Sequence, residues 1–480
     1  MRKMILLWGL ILLHALASFP QERFRKAPPI PDPLQPLALP DIESVRLSNG
    51  LTVAVAYQKN IPFISVELVV LVGESSSPDK LPGLATLTAM MLSRGTPLVS
   101  ASDMEERVES IGGNFSTTTF LDYSRFSFLF LDENLDQALT LLSQMLLQPA
   151  FADREIVNLK RAHYLDILQK QREPEFVGRR QLLRTLFNNH PYQKSLYNQD
   201  VVKNIGRGEI QSFFEKYYRP NNSVLLLAGN LNLNTASRKV SQYLSTWQRK
   251  DVERPLFSSP ERNTAEKVLL VDLPQAKDAT LFVGNVIFPL GDPDFFPFSV
   301  LNQVLGGTPH SRLFMNLRES REYAYFAFSD IELYRCCGVY AIRAKVIPQA
   351  CFLSVREILK ELDRMTKEKV PTFEIEQAKS YLIGSFPLQV AKLDELAQRA
   401  SERAAFSLGE EYWNKFYENI QLVDSDRVFA VAERYLLPRP VVIIVGDKSI
   451  LLDHLRDFPK LDIYDTKGVF QYTVIKGVEE

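Results

Sequence analysis

Tyr218 to Gly229 reads Y-R-P-N-N-S-V-L-L-L-A-G, and Tyr435 to Gly446 reads Y-L-L-P-R-P-V-V-I-I-V-G. Each opens on tyrosine, passes a proline-bearing turn and runs through a short apolar stretch to a closing glycine. An apolar run of that length, bounded by turn residues, reads as a buried strand. The copies stand 217 positions apart. Glu155-Ile156 with Lys160 matches Glu374-Ile375 with Lys379 at a separation of 219, and Gly95-Thr96 matches Gly307-Thr308 at 212. Three separate matches at a nearly constant offset predict a duplicated chain.

The surrounding elements repeat in the same order. Leu51 to Tyr57 and Phe63 to Val72 are β-branched, strand-like runs, as are Val268 to Leu273 and Leu281 to Phe288. A helix from Gly83 to Ser93 corresponds to one from Phe298 to Leu305. Phe115 to Leu131 reads as two strands around Leu121-Asp122, and Tyr325 to Ile331 with Gly338 to Val346 as their counterparts. Amphipathic helices follow in both halves, Leu135 to Leu147 and Asp153 to Gln171 in one, Leu353 to Lys367 and Thr372 to Gly384 in the other. The expected fold class is α+β: two duplicated domains, each a mostly antiparallel sheet covered by helices. Their expected limits are 43–250 and 264–480, joined by a polar linker at 251–263 that carries Pro255 and Pro260. Length alone would allow about three domains.

Composition narrows the function. Lys+Arg is 56 and Asp+Glu 57, a net charge of -1, which offers no basic excess for nucleic acid. Three cysteines are too few for a disulfide framework. Cys336 and Cys337 sit in a strand-like run, where neighbours point to opposite faces, and the simplest reading of all three is small buried hydrophobes. Arg2 and Lys3, the apolar run Met4 to Ala17 and the A-x-A signal at Ala15 to Ala17 make residues 1–17 an expected export signal, cleaved or kept as an anchor. Residues 18–42 are rich in proline and read as a tether. The expected location is periplasmic or otherwise extracytoplasmic. No later segment is apolar enough to span a membrane.

One group of motifs resembles a known family. Gly83-Leu84-Ala85 with Met91-Leu92 and Gly95-Thr96 is similar to the metal-binding helix of the pitrilysin, insulinase and mitochondrial processing peptidase family. Leu47 to Leu51, Ser311 to Phe314 and Leu317-Arg318-Glu319 also resemble that family, in its order and spacing. The resemblance implies half of a clamshell. In such enzymes this helix carries H-x-x-E-H, whose histidines bind zinc and whose glutamate activates water, with a more distant glutamate completing the set. The matching positions here are Thr86, Ala89, Met90 and, for the distant ligand, Asp166. Ala89 has no carboxylate, Met90 offers a soft thioether that suits zinc poorly, and Thr86 is a weak neutral ligand. His163 and Asp166 share a helix face at i, i+3, but two groups do not make a site. This chain is therefore expected to hold no metal, with zinc confined to a partner. His190-Pro191-Tyr192 resembles a family loop motif and not a ligand set. No G-x-S-x-G elbow and no P-loop occur.

Arg318 and Tyr325 remain. They stand seven positions apart in a segment resembling one in which an arginine and a tyrosine hold substrate near a zinc borne by the opposite domain. The resemblance implies a non-catalytic subunit, with Arg318 and Tyr325 as substrate-binding residues offered to a zinc-bearing pitrilysin-type catalytic subunit and its peptide substrate. Two other readings stay open: an exported scaffold or peptide-binding protein with no role in proteolysis, and an enzyme working through another site.

Overall fold

The computed structural model describes residues 42–196, 202–390, 393–409, 411–436 and 439–476. The expected export signal and nearly all of the tether lie outside them. The first sheet contains β1 (Ile42–Arg46), β2 (Thr52–Tyr57), β3 (Phe63–Val70), β4 (Asn114–Thr119), β5 (Ser124–Leu131) and β6 (Ser223–Gly229). The second contains β7 (Lys267–Asp272), β8 (Ala279–Ile287), β9 (Ala324–Leu333), β10 (Gly338–Val346), β11 (Val441–Gly446), β12 (Lys460–Tyr464) and β13 (Phe470–Ile475).

Strand order carries the duplication. The first sheet runs β1-β2-β6-β3-β5-β4 and the second β13-β12-β7-β11-β8-β10-β9. Setting β2 to β6 against β7 to β11 gives the same order, with the same parallel pair, β2 on β6 and β7 on β11; the second sheet adds a further parallel strand, β12, beside β7. The two quoted tyrosine-to-glycine segments end in β6 and β11, the strands inserted at the centre of each sheet. Central strands must be apolar on both faces, and β8 and β11 are buried along their whole length.

What covers those faces was not legible in the sequence. The helix Pro174–Leu186 starts on a proline suited to a first helical position. It belongs to the first half yet packs on β8 and β11 of the second sheet. Val177, Leu182, Leu183 and Leu186 join Val271, Phe282, Val286 and Val445 in one cluster. Burying side chains of that size contributes about 1.5–3 kcal/mol each. Gly178 allows the close approach, since a Cβ there would lie 2.3 Å from Phe282 Cε2. The helix Leu393–Phe406 of the second half packs in return on β3 and β6. Each half thus lends a helix to the other.

Cys336 and Cys337 lie in the tight turn between β9 and β10, not in a strand. Tyr334 N–H donates to the Cys337 carbonyl at 2.8 Å and closes that turn, so strand alternation does not separate the two side chains. Among the described residues no helix is long and apolar enough to cross a membrane.

Candidate functional site

The motif helix, Leu84–Met91, opens on Gly83 in the left-handed region, φ 96°, and has no cap from its own neighbouring side chains. Glu74, in the loop after β3, supplies one. One carboxylate oxygen accepts from Gly83 N–H. The other accepts from Thr86 N–H at 3.2 Å and from the Thr86 hydroxyl at 2.8 Å. Ser77 Oγ accepts from Ala85 N–H at 3.0 Å. A carboxylate at a helix N-terminus satisfies orphan donors and meets the positive end of the dipole. Glu74 is buried, and sequence reasoning missed it. A glutamate among small polar residues carries no signal until the loop is folded onto the helix.

A cleft of about 460 Å³ opens beside this cap. It brings together Thr86 and, from the long helix Asp153–Lys170, His163, Asp166 and Lys170. Arg179 and Arg180 of the first docking helix and Glu332 and Tyr334 at the end of β9 complete the wall. Several of its charges are paired. Asp166 meets Lys170 at 2.8 Å. Arg179 forks onto Glu332, which also accepts from the Tyr334 hydroxyl at 2.7 Å. Those donors hold the Glu332 carboxyl below its ordinary range against the effect of burial. Ala89 and Met90 do not line the cleft. Ala89 is fully buried in the core of the first half, and Met90 packs against that core.

The donor set does not fit zinc. The Thr86 hydroxyl is engaged with Glu74, Ala89 offers a methyl group, and Asp166 is tied to an ammonium. Among the described residues no three His, Cys, Asp or Glu side chains are grouped so as to hold a metal ion. Purified chain is expected to retain well under one zinc per molecule. Elemental analysis after gel filtration would refute this by finding a stoichiometric ion.

The Glu74 cap makes a second prediction. Burial raises its carboxyl above the ordinary 4.5, against the pull of the Gly83 and Thr86 donors. A carboxyl raised on folding adds stability that is complete below its unfolded value and is lost as pH rises through its folded value. The thermal midpoint of the wild type should therefore fall relative to Glu74→Gln as pH climbs above about 4.5. Parallel curves for the two proteins would contradict it.

Arg318 and Tyr325 lie elsewhere. The helix at Arg312–Phe314 continues as a π-helical turn, Met315–Ser320. Buried Leu313 and Leu317 anchor the turn. Arg312 forks onto Glu374 at 2.7 and 3.1 Å, and Asn316 reaches Glu357 and Glu361. Arg318 is exposed, and its side chain forms no hydrogen bond or ion pair with a described residue. Glu322 adopts a positive φ of 57°. On β9, Ala324 pairs with Val346 and Phe326 with Lys345, so Tyr325 is the extra residue of a β-bulge. Its ring is half exposed beneath Lys345, whose Nζ lies 5.3 Å from the centroid. π-turns and bulges both re-aim side chains and concentrate near functional sites. Neither residue lines the cleft at Thr86. Tyr325 and Glu332 are separated by most of β9, a span of about 20 Å for seven residues of strand.

The family model "Insulinase (Peptidase family M16)" matches residues 52–200, and "Peptidase M16 inactive domain" matches residues 204–382. A Bacillus subtilis protein named uncharacterized zinc protease YmxG is 21% identical, over 82% of this chain and 95% of its own. A Helicobacter pylori protein named non-peptidase homolog YmxG is 27% identical, over 71% and 79%. A solved M16 inactive domain from Pseudomonas fluorescens superposes with a TM-score of 0.79 at 20% identity, covering 85% of this chain and 98% of that one. The periplasmic protease PqqL of Escherichia coli matches with a TM-score of 0.72 at 14% identity, over 92% of this chain but 50% of its own. Matches across both halves, with the shared fold, assign the chain to the M16 family of insulinase- and pitrilysin-type metallopeptidases, and it contains no H-x-x-E-H sequence.

Proposed function

We propose that this chain is the non-catalytic subunit of an exported heteromeric zinc metallopeptidase. A zinc-bearing pitrilysin-type subunit binds beside it, and the two enclose a peptide. This chain supplies part of the cavity wall together with Arg318 and Tyr325. The observation that carries the reading is the contrast within one molecule. The positions that would hold zinc are spent on internal contacts, whereas Arg318 and Tyr325 stay exposed on a π-turn and a bulge. A guanidinium can grip a peptide carbonyl, and a phenol can steady a developing oxyanion. The match to half of PqqL leaves room in that protein for a second unit of similar size. In a two-chain arrangement a separate subunit would fill that place.

The test is reconstitution. The chain is mixed with the zinc-bearing family member encoded in the same genome, and cleavage of a fluorogenic peptide library is measured. Activity that needs both chains and is abolished by a chelator supports the proposal. A stable protein with no such partner and no cleavage would favour the scaffold or peptide-binding reading.

A further inference from the structure

The turn between β9 and β10 places two adjacent thiols where the halves and their linker meet. Cys336 is half-buried, Cys337 is buried, and both are free. The neighbouring thiols shift one another, Cys336 downward and Cys337 upward. His190 Nε2 lies 3.9 Å from Cys336 Sγ. The same turn holds the junction together. Arg335 N–H donates to Asp122 Oδ2 at 2.9 Å, and Cys336 N–H donates to Tyr192 Oη at 3.3 Å. The Tyr192 hydroxyl donates in turn to Asp122, at 2.8 Å to the nearer oxygen. Two of the linker's contacts are made here, Arg335 Nη2 to the Pro255 carbonyl at 2.5 Å and His190 Nε2 to the Ser258 carbonyl at 2.9 Å.

We propose that Cys336 and Cys337 form a reversible vicinal disulfide that releases this latch. The reactant is a disulfide, either of a small thiol or of a dithiol oxidoreductase. The Cys336 thiolate attacks one sulfur of that disulfide, and its S–S bond breaks. One half leaves as a thiolate, which takes up a proton, and the other remains on Cys336 as a mixed disulfide. Cys337 then loses its proton and attacks the Cys336 sulfur, expelling the second half as a thiol. Two protein thiols are oxidised by two electrons in total, and one reactant disulfide is reduced to two thiols. Half-burial gives the first thiol access, and adjacency gives the second step its high effective concentration.

The geometry also explains why closure would act at a distance. Adjacent Cα atoms stand about 3.8 Å apart, below the roughly 4.4–6.8 Å usual for a bridged pair. The ring therefore forms only if the Cys336–Cys337 peptide leaves its hairpin geometry. That movement pulls on the Arg335 and Cys336 N–H groups that hold Asp122, Tyr192 and the linker. A bridge under such strain is readily reduced, which makes the change reversible.

The experiment uses the full-length chain. It is equilibrated with oxidised glutathione, quenched with an alkylating reagent in denaturant, and digested with trypsin, which cuts after Arg335 and Arg343. The expected result is a 336–343 peptide that has lost two hydrogens and carries no label, while Cys351 is labelled. Prior treatment with phenylarsine oxide, which bridges vicinal dithiols, should prevent the loss. The oxidised chain should also be nicked by chymotrypsin after Leu256 or Phe257 several-fold faster than the reduced chain, and Cys337→Ser should abolish that difference. Glutathione retained on Cys336 with Cys337 alkylated would overturn the ring. Ring closure with an equally resistant linker would overturn the latch.

Discussion

Replacing Arg318 with alanine, or Tyr325 with phenylalanine, is expected to lower peptide turnover of the reconstituted complex by about 10- to 1,000-fold, the range that follows loss of one oxyanion-type donor. The reason is geometric. Both side chains sit on irregular backbone that turns them outward, and the surrounding residues are already anchored. Arg312, Asn316, Leu313 and Leu317 hold the π-turn without any help from Arg318. Tyr325 pairs with no residue across the ladder and touches its own chain through the cation of Lys345. Assembly with the partner should therefore survive in both variants, with sedimentation unchanged. A merely structural role would show the opposite pattern, weakened assembly with turnover per assembled complex preserved. Unchanged turnover in both variants would remove the substrate-binding role and leave the partner-subunit proposal resting on fold alone, which is weak ground for function.

The second large effect is one of stability. Asp122→Ala should destabilise the fold by about 3–5 kcal/mol, as removing one member of a buried charged network does. The Asp122 carboxylate accepts from the fully buried Tyr192 and from Arg335 N–H, and its nearer oxygen lies 3.8 Å from the Arg335 guanidinium. Alanine removes the carboxylate that accepts from both the buried phenol and the backbone N–H. Asp122→Asn keeps one acceptor oxygen and should lose markedly less. Denaturant titration of the three proteins measures the difference. Equal midpoints for wild type and Asp122→Ala would mean that the junction between the halves is not held by this cluster. The loop motif His190-Pro191-Tyr192 gains its physical sense here. His190 Nδ1 accepts from Tyr192 N–H at 3.2 Å, which fixes the ring whose Nε2 reaches Ser258.

The parts of the molecule legible in the sequence are those set by local patterns. Apolar runs ending in glycine marked β6 and β11, and their constant offset marked the duplication, because a strand buried on both faces admits few polar residues wherever it lies. The absence of an H-x-x-E-H sequence was legible for a similar reason. No arrangement of the chain can give Ala89 a carboxylate or Met90 an imidazole. The exchange of docking helices was not legible, because Pro174–Leu186 buries its apolar face against strands that follow about a hundred or more positions later, and the sequence does not say which sheet receives it. Glu74 is the same case at short range. One glutamate in a polar loop became a helix cap only when the loop folded over Gly83 and Thr86. The bulge at Tyr325 and the turn that brings Cys336 beside Cys337 also belong to tertiary structure. The first is a one-residue departure from a regular ladder and the second the loop that joins Leu333 to Gly338, both decided by how β9 and β10 register against the rest of the sheet and not by the residues themselves.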